Sequence, residues 1–521
     1  MNFIRLYTGI PHNCFPSGAS LRQLLRLAAL VLLVSGCSGL QPVKLQPEYT
    51  SAPGNAAVWD ALDADHQEDW FVLLNHGPTA LDWRLRAIDT ATESIDLQTF
   101  LWTFDTTGSL VLDHLIAAAE RGVVVKLLID DSFLAGEDET LLELHRHPNI
   151  EYRIYNPFKR RTSSTATRFA LNLAEFHRLD HRMHNKAMVI DNRVVIVGGR
   201  NLADEYYGLH GMANFRDMEL IVGGPIVQRV SQAFDDYWND RWSVPIDQLS
   251  HVKTSPADLD KVRHIRDQHV HIHAEESAAE RLQRWRDLIK SSVPGKATLL
   301  VDRPPEDNPA EPDEAPVEVA DALVDIINTA NEEILVVSAY LIPTNRLESF
   351  IGQAVNRGVR IRILTNSIAS NNHLTAHSAY RNHIRTLLGQ GAELHEVRID
   401  AQHRQIYMLS PVDSKALALH AKALVIDHDK VFIGSSNLDP RSLRVNTEMG
   451  LLVESEDLNM RVRAAINPDF DVTNAWHLQL DENGEVIWVS DNQTLSTQPA
   501  TSFMQRLEDW FFSHLPIEDE L

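Results

Sequence analysis

The sequence has almost no cysteine: two among 521 residues, Cys14 and Cys37, both near the start. No disulfide framework can therefore hold the body of the chain together. Long hydrophobic runs are missing too. The apolar run Leu27 to Val34 covers about eight residues against the roughly 20 that a bilayer-crossing helix needs. Positive charge is scarce, with 48 Lys and Arg against 72 Asp and Glu and a formal net charge of -24. A field of that sign repels polyanions at long range and counts against nucleic acid as the main partner, although it does not describe the inside of a pocket. What remains is an ordinary globular composition, long enough for a large core and two to four domain-sized units.

The N-terminus carries an export pattern. Arg5, Arg22 and Arg26 precede the apolar run, and the small residues Ser35 and Gly36 lead to Cys37. Val34-Ser35-Gly36-Cys37 resembles a bacterial lipobox, in which the cysteine is acylated and becomes the first residue after cleavage. Cleavage there removes Cys14 and leaves one thiol, the one that would carry lipid. Residues 1–36 are thus expected to be a lipoprotein-type signal peptide, Cys37 the lipidation site, and 37–81 a tether and lead-in. Ser38 is not the aspartate associated with inner-membrane retention. The expected location is the bacterial cell envelope, lipid-anchored and facing the periplasm, with the outer membrane favoured.

An internal duplication sets the fold reading. The stretch His184 to Asp191, continuing to Leu202, recurs 236 positions later as His420 to Asp427, continuing to Leu438, with ten of nineteen positions identical. Arg121-Gly122-Val123 leads into an apolar run ending at Asp130, and Arg357-Gly358-Val359 into one ending at Asn366, again 236 apart. Two landmarks with one offset imply two homologous units.

Each unit reads as alternating strands and helices. Strands are predicted over Ser94 to Trp102 and Glu333 to Ile342, helices over Gly108 to Arg121 and Arg346 to Arg357, then strands over Val123 to Asp130 and Val359 to Thr365. Ala187 to Ile190 with Val194 to Val197, and Ala423 to Ile426 with Val431 to Ile433, read as buried hairpins or adjacent strands. The expected class is α/β. The expected division is 82–250 for the first unit, 251–317 for an inter-domain linker or insertion, and 318–521 for the second unit with a C-terminal extension. Pro304 to Val317, rich in proline and acid, reads as solvated. The run His269-Val-His271-Ile-His273 lacks a carboxylate at ligand spacing and is not taken as a metal site.

The duplicated motif His-x-Lys-x4-Asp, His184/Lys186/Asp191 and His420/Lys422/Asp427, fits phosphoryl chemistry. A strand's period of two directs His and Lys to one face. Imidazole titrates near neutrality, so one histidine can attack phosphorus while the other, protonated, donates to the leaving alkoxide. The lysines can stabilise charge on the non-bridging oxygens. The turns Gly198-Gly199 and Gly434-Ser435 would let backbone approach closely, and Asn201 and Asn437 could donate to phosphate.

These motifs, with Asn156-Pro157-Phe158-Lys159-Arg160-Arg161, Arg182-Met183-His184, Phe215-Arg216-Asp217 and Asn446-Thr447-Glu448, resemble the phospholipase D superfamily and, within it, its bacterial cardiolipin synthase C-like branch. The resemblance spans roughly residue 82 to the C-terminus. It implies two tandem pseudo-symmetric domains, each a mixed sheet flanked by helices, sharing one active-site cleft. It further implies a phosphohistidine intermediate, no divalent metal and no cofactor. Asp217 and Glu448 would be the acids that orient the two histidines, with His184 the nucleophile and His420 the acid and then the base. Asp191 and Asp427 would be structural supports. Gly199 stands where the second motif has Ser435, so a hydroxyl contact to phosphate is expected on one side only.

The resemblance implies a phosphatidyltransferase making cardiolipin from phosphatidylglycerol and a second phospholipid, with phosphatidylethanolamine a candidate donor. A membrane surface is the expected partner; nucleic acid is not, and no protein partner is indicated. Water as acceptor would make the enzyme a phospholipase D using the same residues. A family nuclease would cut plasmid without turning over lipid. A lipid-binding scaffold should show a broken motif, and neither is broken. In Ala166 to Met183, Phe169, Leu173, Phe176 and Leu179 fall at helical spacing near Arg168, Arg178 and Arg182, as in a membrane-facing amphipathic helix or one that packs on the core ahead of His184. Lys159 to Arg161 could meet lipid phosphates or form a solvated loop.

Overall fold

A computed structural model describes residues 39–50, 57–63, 68–269, 272–273, 276–305 and 317–515. The expected signal peptide, Cys37, His271 and most of the proline-rich run lie outside the described residues. In the first half the strands are β1 (Asp69–Leu74), β2 (Ser94–Thr99), β3 (Val124–Asp130), β4 (Ile150–Tyr155), β5 (Ala187–Ile190), β6 (Val194–Gly198), β7 (Ala213–Arg216), β8 (Glu219–Gly223) and β9 (Ser243–Pro245). The second half follows with β10 (Val293–Val301), β11 (Glu333–Ser338), β12 (Arg360–Asn366), β13 (Glu393–Val397), β14 (Ala416–Leu419), β15 (Lys422–Ile426), β16 (Lys430–Gly434), β17 (Met449–Glu454), β18 (Ala475–Leu480), β19 (Val486–Val489) and β20 (Thr494–Leu495).

The two halves repeat one wiring. β2, β3 and β4 pair in parallel, and β5 runs antiparallel to β2 and forms a hairpin with β6. Likewise β11, β12 and β13 are parallel, with β15 antiparallel to β11 and hairpinned to β16. The crossover helices are Thr106–Glu120, whose N-cap Asp105 accepts from Gly108, and Asn345–Asn356, capped by Thr344. These match the predicted elements within a few residues at their ends. β1 pairs with β8 on one side and β10 on the other, fusing both halves into a single 18-stranded mixed sheet.

Alternation along the hairpin strands decides how the halves meet. Met188, Ile190, Val194 and Ile196 face the first half's own helices. Their neighbours Ala187, Val189, Val195 and Val197 share one continuous core with Ala423, Val425, Val431 and Ile433 of the second half. A strand buried on both faces cannot solvate either, so the repeats fold as one body.

The segment 251–317, expected to be a linker or insertion, has secondary structure of its own among the described residues. It contains the helices Asp260–His269 and Ala278–Ser291 and strand β10. Ser277 and Glu280 form a capping box, and fully buried Trp285 fixes the second helix to the first half. His273 pairs with Asp82 at 2.8 Å, a carboxylate far away in sequence. The lead-in is also seated: Val43 N–H donates to Arg241 and Thr50 binds Asp235 and Asp96.

Candidate active site

Each histidine stands at the N-terminal edge of a hairpin strand, level with the C-terminal ends of the parallel strands. The residue before it is held by the end of the neighbouring strand. Asp130, closing β3, accepts from Met183 N–H at 3.1 Å, and Asn366, closing β12, accepts from Leu419 N–H at 2.8 Å. Both residues had marked the 236-residue offset in sequence, but only as landmarks.

The structure ties each histidine to the opposite repeat. His184 N–H donates to Thr447 C=O and His420 N–H to Arg216 C=O, both at 2.9 Å. In each case the next residue is an acid: His184 Nδ1 lies 2.9 Å from Glu448 Oε2, and His420 Nδ1 lies 2.7 Å from Asp217 Oδ2. β7 and β14 form a separate two-stranded parallel ladder between the halves, from Ala213 against Ala416 to Arg216 against Leu419. The four residues are thus one interlocked cluster. With the carboxylate accepting from Nδ1–H, a neutral imidazole keeps its Nε2 lone pair for attack.

The cluster is nearly closed to water, with 8% exposure at His184 and 5% at His420. Burial, reinforced by Lys186 and Lys422, holds His184 well below the usual imidazole range. His420 is lowered by burial and then by Lys422. Burial likewise brings Lys186 to about 7 and Lys422 to about 8. Glu448 is pushed up to about 7 by burial, against Lys186 and its Ser435 hydrogen bond. Burial would raise Asp217 as well, but His420, Lys422 and Arg200 hold it below the ordinary carboxylate range. The two pairs are therefore unequal: Asp217 stays ionised where Glu448 titrates near neutrality.

Aromatic edges complete the walls. Phe100 meets His184 at 4.9 Å, Tyr206 meets His420 at 4.9 Å, and Phe215 meets it at 5.3 Å. Of these only Phe215 lay in a motif quoted from the sequence. Phe100 and Tyr206 carry no local signal, because their distance from the histidines is closed only by the fold.

The residues expected to meet phosphate, Ser435, Asn201 and Asn437, also make contacts within the protein. Ser435 Oγ donates to Glu448 and accepts from Met449 N–H, so its hydroxyl is tied to the carboxylate that meets His184. At the matching position a side chain does not fit: a Cβ on Gly199 would sit 2.3 Å from Asp217 Oδ1. Gly198 is likewise approached by a neighbouring strand, its Cβ position lying 2.5 Å from Met218 O. Asn201 donates to Tyr206 Oη at 2.8 Å and accepts from Leu101 N–H, bracing the Tyr206 wall. Asn437 accepts from Tyr340 N–H.

Asp191 and Asp427, grouped with the catalytic residues by their motif, lie at the far ends of β5 and β15. Seven residues at about 3.3 Å each place Asp191 roughly 23 Å along the chain from His184. Asp191 accepts from the N–H groups of Thr92, Glu93 and Ser94 and from Trp59 Nε1. Asp427 takes the matching N–H groups of Asn331, Glu332 and Glu333. Both sit at positive φ, 50° and 46°, which Asp tolerates at a hairpin turn. Asp191→Ala should cost about 2–4 kcal/mol by orphaning the buried Trp59 Nε1–H and three partly buried backbone N–H groups, while half-buried Asp427 costs less; kcat should change little in either. Urea unfolding beside initial rates checks this, and a large kcat loss at unchanged stability would contradict it.

Ala166 to Met183 is not one helix. It breaks into Thr165–Leu171, a 3-10 turn Leu173–Glu175, and Phe176–Asp180. Asn172 interrupts it by bonding the backbone of Arg160 and Arg168. Arg168 is buried on Asp131, and Arg161 binds Asp131 and Asp138, so neither faces a lipid phosphate. Phe169, Leu173 and Phe176 are exposed, whereas Leu179 is buried.

Comparison with known proteins agrees with this architecture. The family described as "Cardiolipin synthase, PLD-like domain" matches residues 85–238 and again 323–469. The chain is 34% identical over 446 residues to cardiolipin synthase C of Escherichia coli (strain K12), covering 84% of this chain and 92% of that one. Cardiolipin synthase B of Shigella flexneri is 25% identical over 402 residues, 76% and 79% of the two chains. The fold is similar to the crystal structure of phosphatidylserine synthase from Haemophilus influenzae Rd KW20, with TM-score 0.53 and 14% identity over 81% of this chain and 91% of that one.

Proposed function

Because this chain belongs to the phospholipase D-like cardiolipin synthase family and is a phosphatidyltransferase of that kind, we propose that it makes cardiolipin by two successive displacements at phosphorus. His184 Nε2 attacks the phosphorus of a donor phospholipid, the P–O bond to the head-group alcohol breaks, and protonated His420 gives its proton to the departing oxygen. A hydroxyl of phosphatidylglycerol then enters, loses its proton to His420, and displaces His184 as the P–N bond breaks. The energy of the broken ester is retained in the phosphohistidine, so no nucleotide is required. Phosphatidylglycerol is the acceptor, and either it or phosphatidylethanolamine the donor. In this reading an acylated Cys37 holds the enzyme at the periplasmic side of an envelope membrane.

The observation that carries this reading is the cross-repeat pairing of each imidazole with the other repeat's carboxylate. It unites both histidines in one site, and its inequality supports the division of labour. Burial and the lysines lower both imidazoles, but Asp217 opposes this at His420 and so favours the protonated form there, which suits the acid, while His184 stays well below the usual range, which suits the nucleophile. Micelles containing phosphatidylglycerol and phosphatidylethanolamine, singly and together, test the reading. Cardiolipin with released glycerol identifies the first donor, and cardiolipin with released ethanolamine the second. Phosphatidic acid as the sole product would instead make the enzyme a hydrolase.

The buried lysines give a pH signature. Each is charged below its pKa and neutral above it, so the phosphate-binding charge is lost as pH rises through about 7 for Lys186 and about 8 for Lys422. Log kcat/KM should therefore fall across that window. The fall in kcat should lie higher, because a bound phosphodiester anion holds those protons. Profiles flat from about pH 7 to 10 would contradict the assignment.

A further inference from the structure

The C-terminal helix Phe503–Phe512 is amphipathic with its polar face turned inward. Asp509 is fully buried, accepting from Ser378 Oγ at 3.0 Å and Arg381 at 2.9 Å. Gln505 donates to Ile368 C=O and Arg506 to Gln498 C=O. The opposite face, Phe503, Met504, Leu507, Trp510 and Phe511, is open, with Phe503 75% exposed. A helix built to pack on a globular core presents the reverse arrangement. The first half carries a second apolar patch in Phe133, Phe169, Leu171, Leu173 and Phe176, with Leu173 62% exposed.

Both patches hang from the end of the sheet that bears the histidines, one in each half. Phe133 follows Asp130 at the end of β3, and its ring meets Phe100 at 5.5 Å, the same ring that stands against His184. The C-terminal helix is pinned to Ile368, just past Asn366 at the end of β12, which braces the backbone beside His420. Arg160 is exposed at the rim of the patch in the first half, bonded to Leu171 C=O. The chain also enters there: Lys159 holds the C=O of Gly39, two positions after Cys37, and Glu175 holds Leu40 N–H.

We propose that these two patches seat the cleft on a phospholipid bilayer, with the C-terminal helix lying at the boundary between head groups and acyl chains. A bilayer is the occupant because outward aromatic and aliphatic side chains, with Arg160 at the edge of one patch, match that boundary, and because an apolar path runs from the surface through Phe133 and Phe100 to the imidazole. The inference rests on the phospholipid-transfer reading above and adds the surface through which substrate is reached.

The test uses the full chain and vesicles of phosphatidylglycerol with brominated acyl chains. Quenching should be greater in the wild type than in Trp510→Phe, which reports the helix itself and not an anchor elsewhere. A chain carrying Phe503→Ser, Leu507→Ser and Phe511→Ser should turn over long-chain vesicles at least about 10-fold more slowly, yet turn over monomeric short-chain phosphatidylglycerol within about twofold of wild type. Equal quenching in the two chains, or rates on vesicles and monomers that move together, overturns the proposal. So does a wild-type dimer, seen by light scattering, that the serine substitutions dissociate without affecting vesicle rates, since the occupant is then a second copy. Quenching at Trp510 in a wild type that turns over no phospholipid supports the docking surface while refuting the transfer reading.

Discussion

A His184→Ala chain is expected to lose phosphatidyl transfer by at least about 10⁴-fold, or roughly 5.5 kcal/mol of transition-state stabilisation, with every class of donor. Without Nε2 at that position no group is left to form the P–N bond, so a better leaving group cannot compensate. His420→Ala should be equally damaging with natural donors, whose alkoxide leaving groups need a proton. With a p-nitrophenyl phosphodiester, the leaving oxygen needs no acid, and the first half-reaction should survive. The second should stall, because the acceptor hydroxyl has lost its base. A burst of p-nitrophenolate followed by arrest in His420→Ala, and no burst in His184→Ala, is the expected pair of time courses. Identical behaviour of the two variants would remove the division of labour.

The carboxylates should follow the histidines of the opposite repeat. Asp217→Asn is expected to behave like His420→Ala, losing about 10²–10⁴-fold with an alkoxide leaving group and little of the p-nitrophenolate burst. The 2.7 Å contact to His420 Nδ1 is the reason, since an amide neither stabilises the imidazolium nor enforces the tautomer. Glu448→Gln should resemble His184→Ala and lose rate with both leaving groups, because the 2.9 Å contact to His184 Nδ1 is what leaves Nε2 unprotonated. If Asp217→Asn impaired the burst and Glu448→Gln spared it, the pairing would run within each repeat and not across them.

How much of this could be read from the sequence follows from what is local and what is not. The 236-residue offset, the hairpin strands and the crossover helices rest on periodicity, caps and apolar runs, and these appear with end shifts of a few residues. The motif residues His184, Lys186, His420 and Lys422 came from the same local pattern. The cross-pairing did not. Asp217 and Glu448 are 231 positions apart and not 236, because 19 positions separate Gly198 from Asp217 and 14 separate Gly434 from Glu448. Alignment could mark both as acids without saying which imidazole each would meet.

The roles of Ser435 and Gly199 were hidden for a related reason. One hydroxyl binds Glu448, while the absence of a side chain makes room for Asp217, and neither choice is visible until two strands approach each other. In Ala166 to Met183 the helical spacing was real, but Asn172 spends its amide on backbone and breaks the run, which a periodicity count does not weigh. The C-terminal helix shows the complementary limit of periodicity. Its pattern defines two faces, and only the buried Asp509 says which of them is turned inward.

The most direct test of the two-repeat, one-site chemistry is to find the covalent intermediate and the residue that carries it. The His420→Ala chain, mixed with a p-nitrophenyl phosphatidyl donor, quenched in base and digested, should yield about one phosphatidyl group per chain on the peptide containing His184, by mass. The His184→Ala chain treated identically should yield none. An adduct on His420 in the His184→Ala chain, or full turnover with no adduct on either histidine, would contradict it.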